Sequence, residues 1–211
     1  MLVRRRGDVM QTKETMMSVK PFAITLDVGT SLANRTGSWR TLKPVYVDRL
    51  PPCNTKCPAG EQCQAWLFHA QSGNYENAWK QIIEDNPFPA VMGRVCYHTC
   101  QGACNRNGID EPVGINAVER FLGDYALEKG WQLPVPAADT GKRILIVGAG
   151  PAGLSAAYQL RRLGHAVHVV ESAEAAGGMM RYGIPKYRLP REVLDQEIAR
   201  ITALGVEFEF G

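Results

Sequence analysis

The pattern of apolar and polar positions over residues 48–130 predicts a helical region. Three segments have the periodicity of amphipathic helices, namely EQCQAWLFHAQSG, NYENAWKQIIED and NAVERFLGDYALEKG. Gly73 separates the first two, and residues 86–89 (NPFP) end the second because proline interrupts helical hydrogen bonding. The third is expected to end at Gly130. We therefore expect an all-α domain over this part of the chain.

From Lys142 onward the pattern changes to strands that alternate with helix. Residues 142–147 (KRILIV) end in a continuous apolar run, ILIV, and are typical of a strand buried in a parallel sheet. A helix (LSAAYQLRRLG), a second strand (AVHVV) and a third strand (VEFEF) follow. Residues 131–141 (WQLPVPAADTG) predict a proline-containing linker. The expected fold class is α/β plus all-α, with the first part of a Rossmann-like parallel-sheet domain at 142–211.

The first 47 residues show neither pattern. Residues 1–20 contain basic residues but no apolar segment behind them, so they predict a flexible tail rather than a secretory signal. Residues 21–47 hold short β-like pieces broken by Gly, Asn and Ser, and they predict an extended arm. No run of 18 apolar residues occurs, so no membrane-spanning helix is predicted. We therefore expect a cytoplasmic protein.

Composition and charge describe an ordinary globular protein. Hydrophobic residues make up 45% and charged residues 21%, which excludes a disordered, collagen-like or coiled-coil chain. The formal net charge of +3 is too small to argue for nucleic-acid binding. Function must therefore be sought in local motifs.

The cysteines form two tight groups separated by the predicted helices. They are Cys53, Cys57, Cys63, Cys96, Cys100 and Cys104. Two such groups in a cytosolic protein indicate a metal site rather than disulfides. If the second group were helical, its thiols would lie on one face, where they would repel each other as thiolates unless a cation or cluster lay between them. An iron–sulfur cluster is favoured, while zinc and merely buried thiols remain alternatives.

A glycine-rich turn joins the first predicted strand to its helix. Gly148, Gly150 and Gly153 form a G-x-G-x-x-G motif, and Glu171 ends the next strand. In this context the motif predicts a dinucleotide site. Gly148 permits the tight turn, Gly150 admits the pyrophosphate, and Gly153 allows close packing of helix and strand. Glu171 is placed to accept hydrogen bonds from ribose hydroxyls.

A second glycine pair favours FAD over NAD at this site. Gly177 and Gly178 follow Glu171 and would let a second stretch of backbone lie close to the same dinucleotide. This feature is typical of FAD-binding two-dinucleotide folds. Glu171 also disfavours a 2′-phosphate because like charges repel. The residues expected at the cofactor are Gly148, Gly150, Pro151, Ala152, Gly153, Glu171, Gly177, Gly178 and Met179.

The order of these motifs resembles that of the small (β) subunit of glutamate synthase and its relatives, including the N-terminal part of dihydropyrimidine dehydrogenase. The resemblance extends from residue 45 to residue 211. The matching stretches are residues 52–58, NPFPAVMGRVC (86–96), Cys100 with Cys104, INAVERF (115–121) and residues 140–190.

The resemblance implies an iron–sulfur flavoprotein. In that family a helical domain with two [4Fe–4S] clusters precedes an FAD domain, into which an NAD(P)H domain is inserted. NAD(P)H reduces the flavin, and the clusters carry electrons to a partner redox subunit or domain of a hetero-oligomeric complex. No catalytic side chain is predicted, because the cofactors carry the chemistry.

The resemblance also implies one cluster-ligand set by position. It assigns this cluster to Cys57, Cys96, Cys100 and Glu119. A carboxylate is an unusual cluster ligand and should change the reduction potential. Without the family, Glu119 would be interpreted as an exposed helix glutamate.

The second cluster of the family is incomplete in this sequence. Cys53 and Cys104 match two of its ligands, but Asp48 and Val45 occupy the positions of the other two. Cys63 and Asp48 are candidates to complete the set. Otherwise Cys53 and Cys104 are spare thiols, and the number of clusters is left open at one or two.

The family requires further polypeptide after Gly211 for the NAD(P)H domain and for the rest of the FAD domain. A half-built FAD domain would expose a large apolar face. We therefore expect the N-terminal part of a longer protein, with its NAD(P)H site beyond this chain. The alternatives are a non-enzymatic electron-transfer or docking subunit without an NAD(P)H site, and a zinc-stabilised helical module.

Overall fold

The computed structural model describes residues 50–211. The predicted tail and arm, together with Val45 and Asp48, lie outside the described residues. Within the described part, the elements follow the predicted order of helices first and a parallel sheet afterwards. The expected fold class is confirmed, whereas the exact domain boundaries stay predictions.

The first half of the described chain is helical. Its elements are α1 (Pro52–Lys56), α2 (Cys63–Gln71), α3 (Tyr75–Ile82), α4 (Pro89–Val95), α5 (Thr99–Gly102), a 3₁₀ turn (Asn105–Gly108) and α6 (Ile115–Glu128). The three helices predicted from periodicity correspond to α2, α3 and α6. Proline begins α1 and α4, where its missing N–H costs no helical hydrogen bond.

The second cysteine group does not lie on one helix face. Cys96 caps the C-terminus of α4, Cys100 lies inside α5, and Cys104 precedes the 3₁₀ turn. His98 separates α4 from α5 with a left-handed backbone, at φ 56°. This turn breaks the helix, so the three thiols project from three short elements.

Two glycines bring α4 and α6 into close contact. A Cβ at Gly93 would overlap the backbone of Arg120, and a Cβ at Gly123 would overlap the backbone of Ala90. Small residues at a helix crossing let the two backbones approach until they touch. This contact sets the position of the C-terminus of α4 relative to α6.

The second half contains the sheet and its flanking helices. Its elements are β1 (Arg143–Val147), α7 (Pro151–Arg162), β2 (Ala166–Glu171), α8 (Met179–Tyr182), α9 (Arg191–Ala203) and β3 (Glu207–Phe210). The strands are parallel in the order β1-β2-β3, with Ile144 opposite Val167 and His168 opposite Glu207. Parallel pairing through crossover helices is the Rossmann-type arrangement.

Only one face of β1 is covered within the described residues. Ile144 and Ile146 are half-buried, while Leu145 and Val147 are 61% and 82% exposed. The apolar run is typical of a strand covered on both faces, and within residues 50–211 only the face of Ile144 and Ile146 is covered. Because the residues on one face have nothing packed on them here, the strand alternates in burial despite its uniform composition.

One core joins the helical half to the sheet. Trp79, Phe88 and Val91 pack in the same cluster as Leu154 and Tyr158. The Tyr158 hydroxyl donates a hydrogen bond of 2.7 Å to the carbonyl oxygen of Ile83. The predicted linker is held as well, since the Ala137 N–H donates to the Arg162 carbonyl at 3.0 Å. No helix within residues 50–211 is both long enough and apolar enough to cross a membrane.

Candidate functional site

Four of the six cysteines line one cavity of about 390 Å³ in the helical half. They are Cys57, Cys63, Cys96 and Cys100, and the carboxylates of Glu61 and Glu119 line the same cavity. The remaining wall is largely apolar and includes Phe88, Met92, Val95 and Ile115. The structure thus brings together all four residues that the family resemblance assigned to one cluster.

Local structure explains why the thiols converge. Cys57 follows the short helix α1 in extended conformation, and Cys63 begins α2. Cys96 ends α4, also in extended conformation. The left-handed turn at His98 then reverses the chain and places Cys100 beside the first group. Four different helix ends therefore supply the sulfur atoms.

The sulfur atoms interact with one another. The Cys63 thiol hydrogen-bonds to Cys57 and to Cys100, and this lowers the pKa of Cys57 to about 6 and that of Cys100 to about 7. The same contacts raise the pKa of Cys63 itself. The backbone N–H of His98 donates to the Cys96 sulfur at 3.4 Å. Such N–H···S bonds stabilise a metal-bound thiolate and tune the potential of a cluster.

A buried amide connects the two carboxylates of the cavity. Asn86 Nδ2 donates to Oε1 of Glu61 and to Oε1 of Glu119, both at 2.9 Å. Trp66 Nε1 donates to the other oxygen of Glu61 at 3.2 Å. Burial raises the pKa of Glu61 to about 7 and, for the same reason, raises the pKa of Glu119 well above its ordinary value.

Sequence reasoning missed Glu61 and Asn86. Asn86 appeared only as part of a helix-ending NPFP segment, and nothing in its neighbours indicates a bridging role. Glu119 lies in α6 and is buried, so the exposed-glutamate interpretation is wrong. Its burial could not be predicted from the local sequence, and its hydrogen-bond partner Asn86 lies 33 positions away.

The donor set of the cavity fits an iron–sulfur cluster. Thiolates are the ligands that such clusters take, and the chain presents four of them toward one partly enclosed space. The contact with Cys63 lowers the pKa of two of those thiols, Cys57 and Cys100, and this favours the ionised form that binds iron. The apolar wall would exclude water from the cluster, which is a determinant of its potential.

Cys53 and Cys104 lie outside this cavity. Both are partly exposed free thiols. Burial raises the pKa of Cys53. Cys53 and Cys104 are the two residues that match the second ligand set of the family by position. Asp48, the residue considered for completing that set, is outside the described residues.

The glycine turn has the geometry that a dinucleotide site requires. Gly148 has φ +99°, a conformation that favours glycine. A Cβ at Gly153 would overlap the Gly148 carbonyl oxygen, so only glycine permits α7 to approach the turn this closely. Gly150 caps α7, whose first residues are Pro151 and Ala152. The helix N-terminus is thus directed at the space where a pyrophosphate would lie.

The double glycine packs directly on this turn. The Gly177 N–H donates to the Ala149 carbonyl at 2.7 Å. A Cβ at Gly178 would lie 2.7 Å from the Cα of Gly150, so a side chain there would collide with the turn. Met179 begins α8 immediately afterwards and is largely exposed. The structure therefore places the second glycine pair beside the first.

Glu171 lies at the end of β2 and faces the same turn. Its carboxylate accepts hydrogen bonds from the backbone N–H groups of Ala173 at 2.9 Å and Ala149 at 2.7 Å. These bonds lower the pKa of Glu171. The group is therefore ionised at neutral pH, with lone pairs left over for ribose hydroxyls.

The thiol cavity and the glycine turn meet at the start of α7. Pro151 and Ser155, in the first two turns of that helix, form part of the cavity wall. Pro151 also belongs to the G-x-G-x-x-G motif. The two candidate cofactor sites are therefore on neighbouring sides of one helix end.

Comparison with known proteins matches both halves of the chain. Residues 47–131 match the family described as dihydropyrimidine dehydrogenase domain II, 4Fe-4S cluster. Residues 146–197 match the family described as NAD(P)-binding Rossmann-like domain. The two matches fall on the thiol cavity and on the glycine turn respectively.

Relatives with similar sequences are oxidoreductase subunits. The chain is 39% identical over 157 residues to the NAD-dependent dihydropyrimidine dehydrogenase subunit PreT of Escherichia coli K12, covering 74% of this chain and 38% of that protein. It is 38% identical over 153 residues to the glutamate synthase [NADPH] small chain of Bacillus subtilis, covering 72% and 31%. It is 39% identical over 178 residues to the NADP(+)-dependent formate dehydrogenase subunit beta of Moorella thermoacetica, covering 74% and 25%.

The chain spans less than two fifths of the length of each of these relatives. Over that span, the resemblance inferred from the sequence motifs is confirmed. The chain is a homologue of the glutamate synthase small chain and of the PreT subunit of dihydropyrimidine dehydrogenase, with a 4Fe-4S domain followed by a Rossmann-like domain.

Proposed function

We propose that this chain is the FAD- and [4Fe–4S]-containing part of a cytoplasmic NAD(P)H-dependent oxidoreductase. In this function electrons pass between nicotinamide, flavin, cluster and a partner redox subunit. The observation that carries the proposal is the shared wall at Pro151 and Ser155, which puts the thiol cavity beside the dinucleotide turn. Electron transfer requires two redox centres close together, and this arrangement supplies places for both.

The glycine turns support FAD as the dinucleotide. Gly177 and Gly178 pack against Ala149 and Gly150, so two stretches of bare backbone flank one binding space. Hydrogen bonds from backbone N–H groups lower the pKa of Glu171, and its carboxylate would meet the ribose of a dinucleotide bound there. Its charge favours an unphosphorylated ribose, as FAD has. The nicotinamide would bind to polypeptide outside the described residues, as proposed from the family resemblance.

The protein groups would hold and tune the cofactors rather than react themselves. Thiolates of the cavity would bind the cluster, whose chemistry is the transfer of single electrons. The His98 N–H would stabilise charge on the Cys96 sulfur. The N-terminus of α7 would offset the pyrophosphate charge. The apolar wall of the thiol cavity would keep water away from the cluster.

The partners and the compartment are part of this proposal. Two of the relatives are named as subunits, which supports a hetero-oligomeric complex with another redox subunit. All six cysteines are free thiols, and such thiols persist in a reducing compartment. Together these observations support a cytoplasmic redox complex.

Cofactor analysis of the protein purified without oxygen tests this function. We expect one FAD and about four irons with matching acid-labile sulfide per chain. About eight irons would mean that a second cluster forms at Cys53 and Cys104. Zinc without sulfide, or the absence of flavin, would refute the proposal. A cluster and flavin that NADH and NADPH fail to reduce in the full-length protein would instead favour the non-enzymatic electron-transfer subunit.

A further inference from the structure

We infer that Ser155 of α7 donates a hydrogen bond to the cluster in the thiol cavity and thereby raises its reduction potential. Ser155 is then a positioning and tuning residue supplied by the Rossmann-like half of the chain. The inference rests on the presence of a cluster, which is part of the proposed function. It concerns the surroundings of the cluster and not its ligands.

The place of Ser155 in the cavity wall is the first argument. The cavity that contains the cysteines is also lined by two residues of α7, Pro151 and Ser155. Pro151 has an apolar ring and no N–H to donate. Ser155 is half-buried and brings a hydroxyl to the wall. Ser155 is therefore the polar side chain that the Rossmann-like half contributes to this cavity.

The hydrogen bonding of Ser155 is the second argument. A serine or threonine hydroxyl in a helix commonly donates to the carbonyl oxygen four residues earlier. Ser72 donates in this way to Phe68 at 3.1 Å, and Thr202 donates to Ile198 at 3.2 Å. Ser155 makes no such bond, and within residues 50–211 its hydroxyl has no other side-chain or backbone partner. Its proton is available to a group bound in the cavity.

The other hydroxyl and amide groups of the wall have different partners. The Thr99 hydroxyl donates to the carbonyl oxygen of Lys56 at 2.8 Å. Asn86 Nδ2 donates to the two buried carboxylates. Tyr97 is 92% exposed, so water can serve its hydroxyl. Among these side chains, Ser155 is the donor that remains for the cluster.

The chemistry of a cluster gives this donor an effect. The sulfur atoms of iron–sulfur clusters accept hydrogen bonds, and these bonds are one determinant of the reduction potential. Reduction adds negative charge to the cluster, and a hydrogen bond to a more negative acceptor is stronger. A bond from Ser155 therefore stabilises the reduced cluster more than the oxidised one.

The position of Ser155 along α7 relates this effect to electron transfer. The N-terminus of α7 faces the space for the pyrophosphate, and Ser155 lies about one turn further along the same helix. The helix that binds the dinucleotide thus also sets the potential of the neighbouring cluster. The difference in potential between flavin and cluster decides the direction in which electrons move.

Ser155→Ala tests the inference in the intact protein. Alanine has the highest helix propensity, so we expect α7 to be retained. Loss of the bond should make the cluster about tenfold harder to reduce, which for one electron is a fall of about 59 mV in the midpoint potential. Iron and sulfide per chain should stay at the wild-type content, because no ligand is removed. A redox titration followed by EPR measures the potential.

Two further measurements distinguish a hydrogen bond from a packing effect. Ser155→Thr keeps the hydroxyl, so it should keep a potential close to that of the wild type. Pulsed EPR of the reduced cluster in D₂O should show a coupled deuteron in the wild type that is missing in Ser155→Ala.

The controls separate this inference from the proposed function. Ser72→Ala removes a hydroxyl that does not line the cavity, so it should leave the potential unchanged. Far-UV circular dichroism of each variant checks folding. A wild-type protein without iron and sulfide would refute the proposed function. A cluster whose potential is the same in wild type and Ser155→Ala, or a shift confined to the flavin, would overturn only the role of Ser155.

Discussion

At the scale of single residues, the candidate sites depend on glycines whose missing side chains make room for backbone. Gly153 faces the Gly148 carbonyl oxygen, and Gly178 faces the Cα of Gly150. In both cases the obstacle is backbone, which cannot rotate away as a side chain can. These glycines are therefore required by the packing of the backbone itself.

Gly153→Ala is expected to weaken both the fold and the cofactor site. The new Cβ forces α7 away from the turn, at a cost of about 1–3 kcal/mol in the free energy of unfolding. Flavin content per chain should fall in parallel, because the helix N-terminus moves. Chemical denaturation and flavin absorbance measure the two effects. Gly108→Ala is the matched control, since a Cβ there meets nothing within 4 Å, and equal losses in both variants would contradict the argument.

At the scale of elements, the contact between α4 and α6 positions two sides of the thiol cavity. Cys96 ends α4, and Glu119 lies in α6. Gly93 and Gly123 have no Cβ atoms, so the two helix backbones can touch. This close contact sets the distance between Cys96 and Glu119. Arg94 reinforces the pair through two hydrogen bonds to the Asp124 carboxylate, at 2.6 and 2.9 Å.

Gly123→Ala should separate the two helices and loosen the cavity. The added Cβ overlaps the backbone of Ala90, so we expect a loss of about 1–3 kcal/mol in the free energy of unfolding. The rate of iron release to a chelator should rise, because Cys96 moves with α4. Gly102→Ala, at an open position of α5, serves for comparison. Unchanged chelation kinetics in Gly123→Ala would show that the cavity does not depend on this helix contact.

At the scale of the whole described unit, a buried ion pair connects the sheet half to the helical half. Glu197 of α9 is fully buried and accepts the backbone N–H of Ala90, in the first turn of α4, at 2.9 Å. Arg200 lies 3.8 Å from the other carboxylate oxygen, with its guanidinium over the Trp79 ring. The pair therefore holds the helix that ends at Cys96 against the Rossmann-like half.

Glu197→Gln should be strongly destabilising, by roughly 3–5 kcal/mol, because it leaves the Arg200 guanidinium buried without its counter-charge. The double variant Glu197→Gln with Arg200→Met should recover most of that loss, since it removes the unpaired charge while the Gln amide oxygen can still accept the Ala90 N–H. Denaturation of wild type, both single variants and the double variant forms a double-mutant cycle. Additive losses would mean that the two side chains do not act as a pair.

The helices and the nucleotide-binding turn could be predicted because their signals are local. The periodicities of α2, α3 and α6 and the G-x-G-x-x-G motif each lie within a short segment. The burial of β1 could not be predicted in the same way. Leu145 and Val147 belong to an apolar run, but whether they are covered depends on polypeptide packed against that face.

By itself the sequence determined the order of elements, the fold class and the residue types available for iron and for a dinucleotide. Only the tertiary structure decided which of those residues meet. It placed Cys63 with Cys57 and Cys100, joined Glu61 to Glu119 through Asn86, and brought the cavity to the start of α7. The physical reason is that contacts between distant segments of the chain depend on side-chain volumes and on how closely the backbones approach. The periodicity of a short segment does not determine that packing.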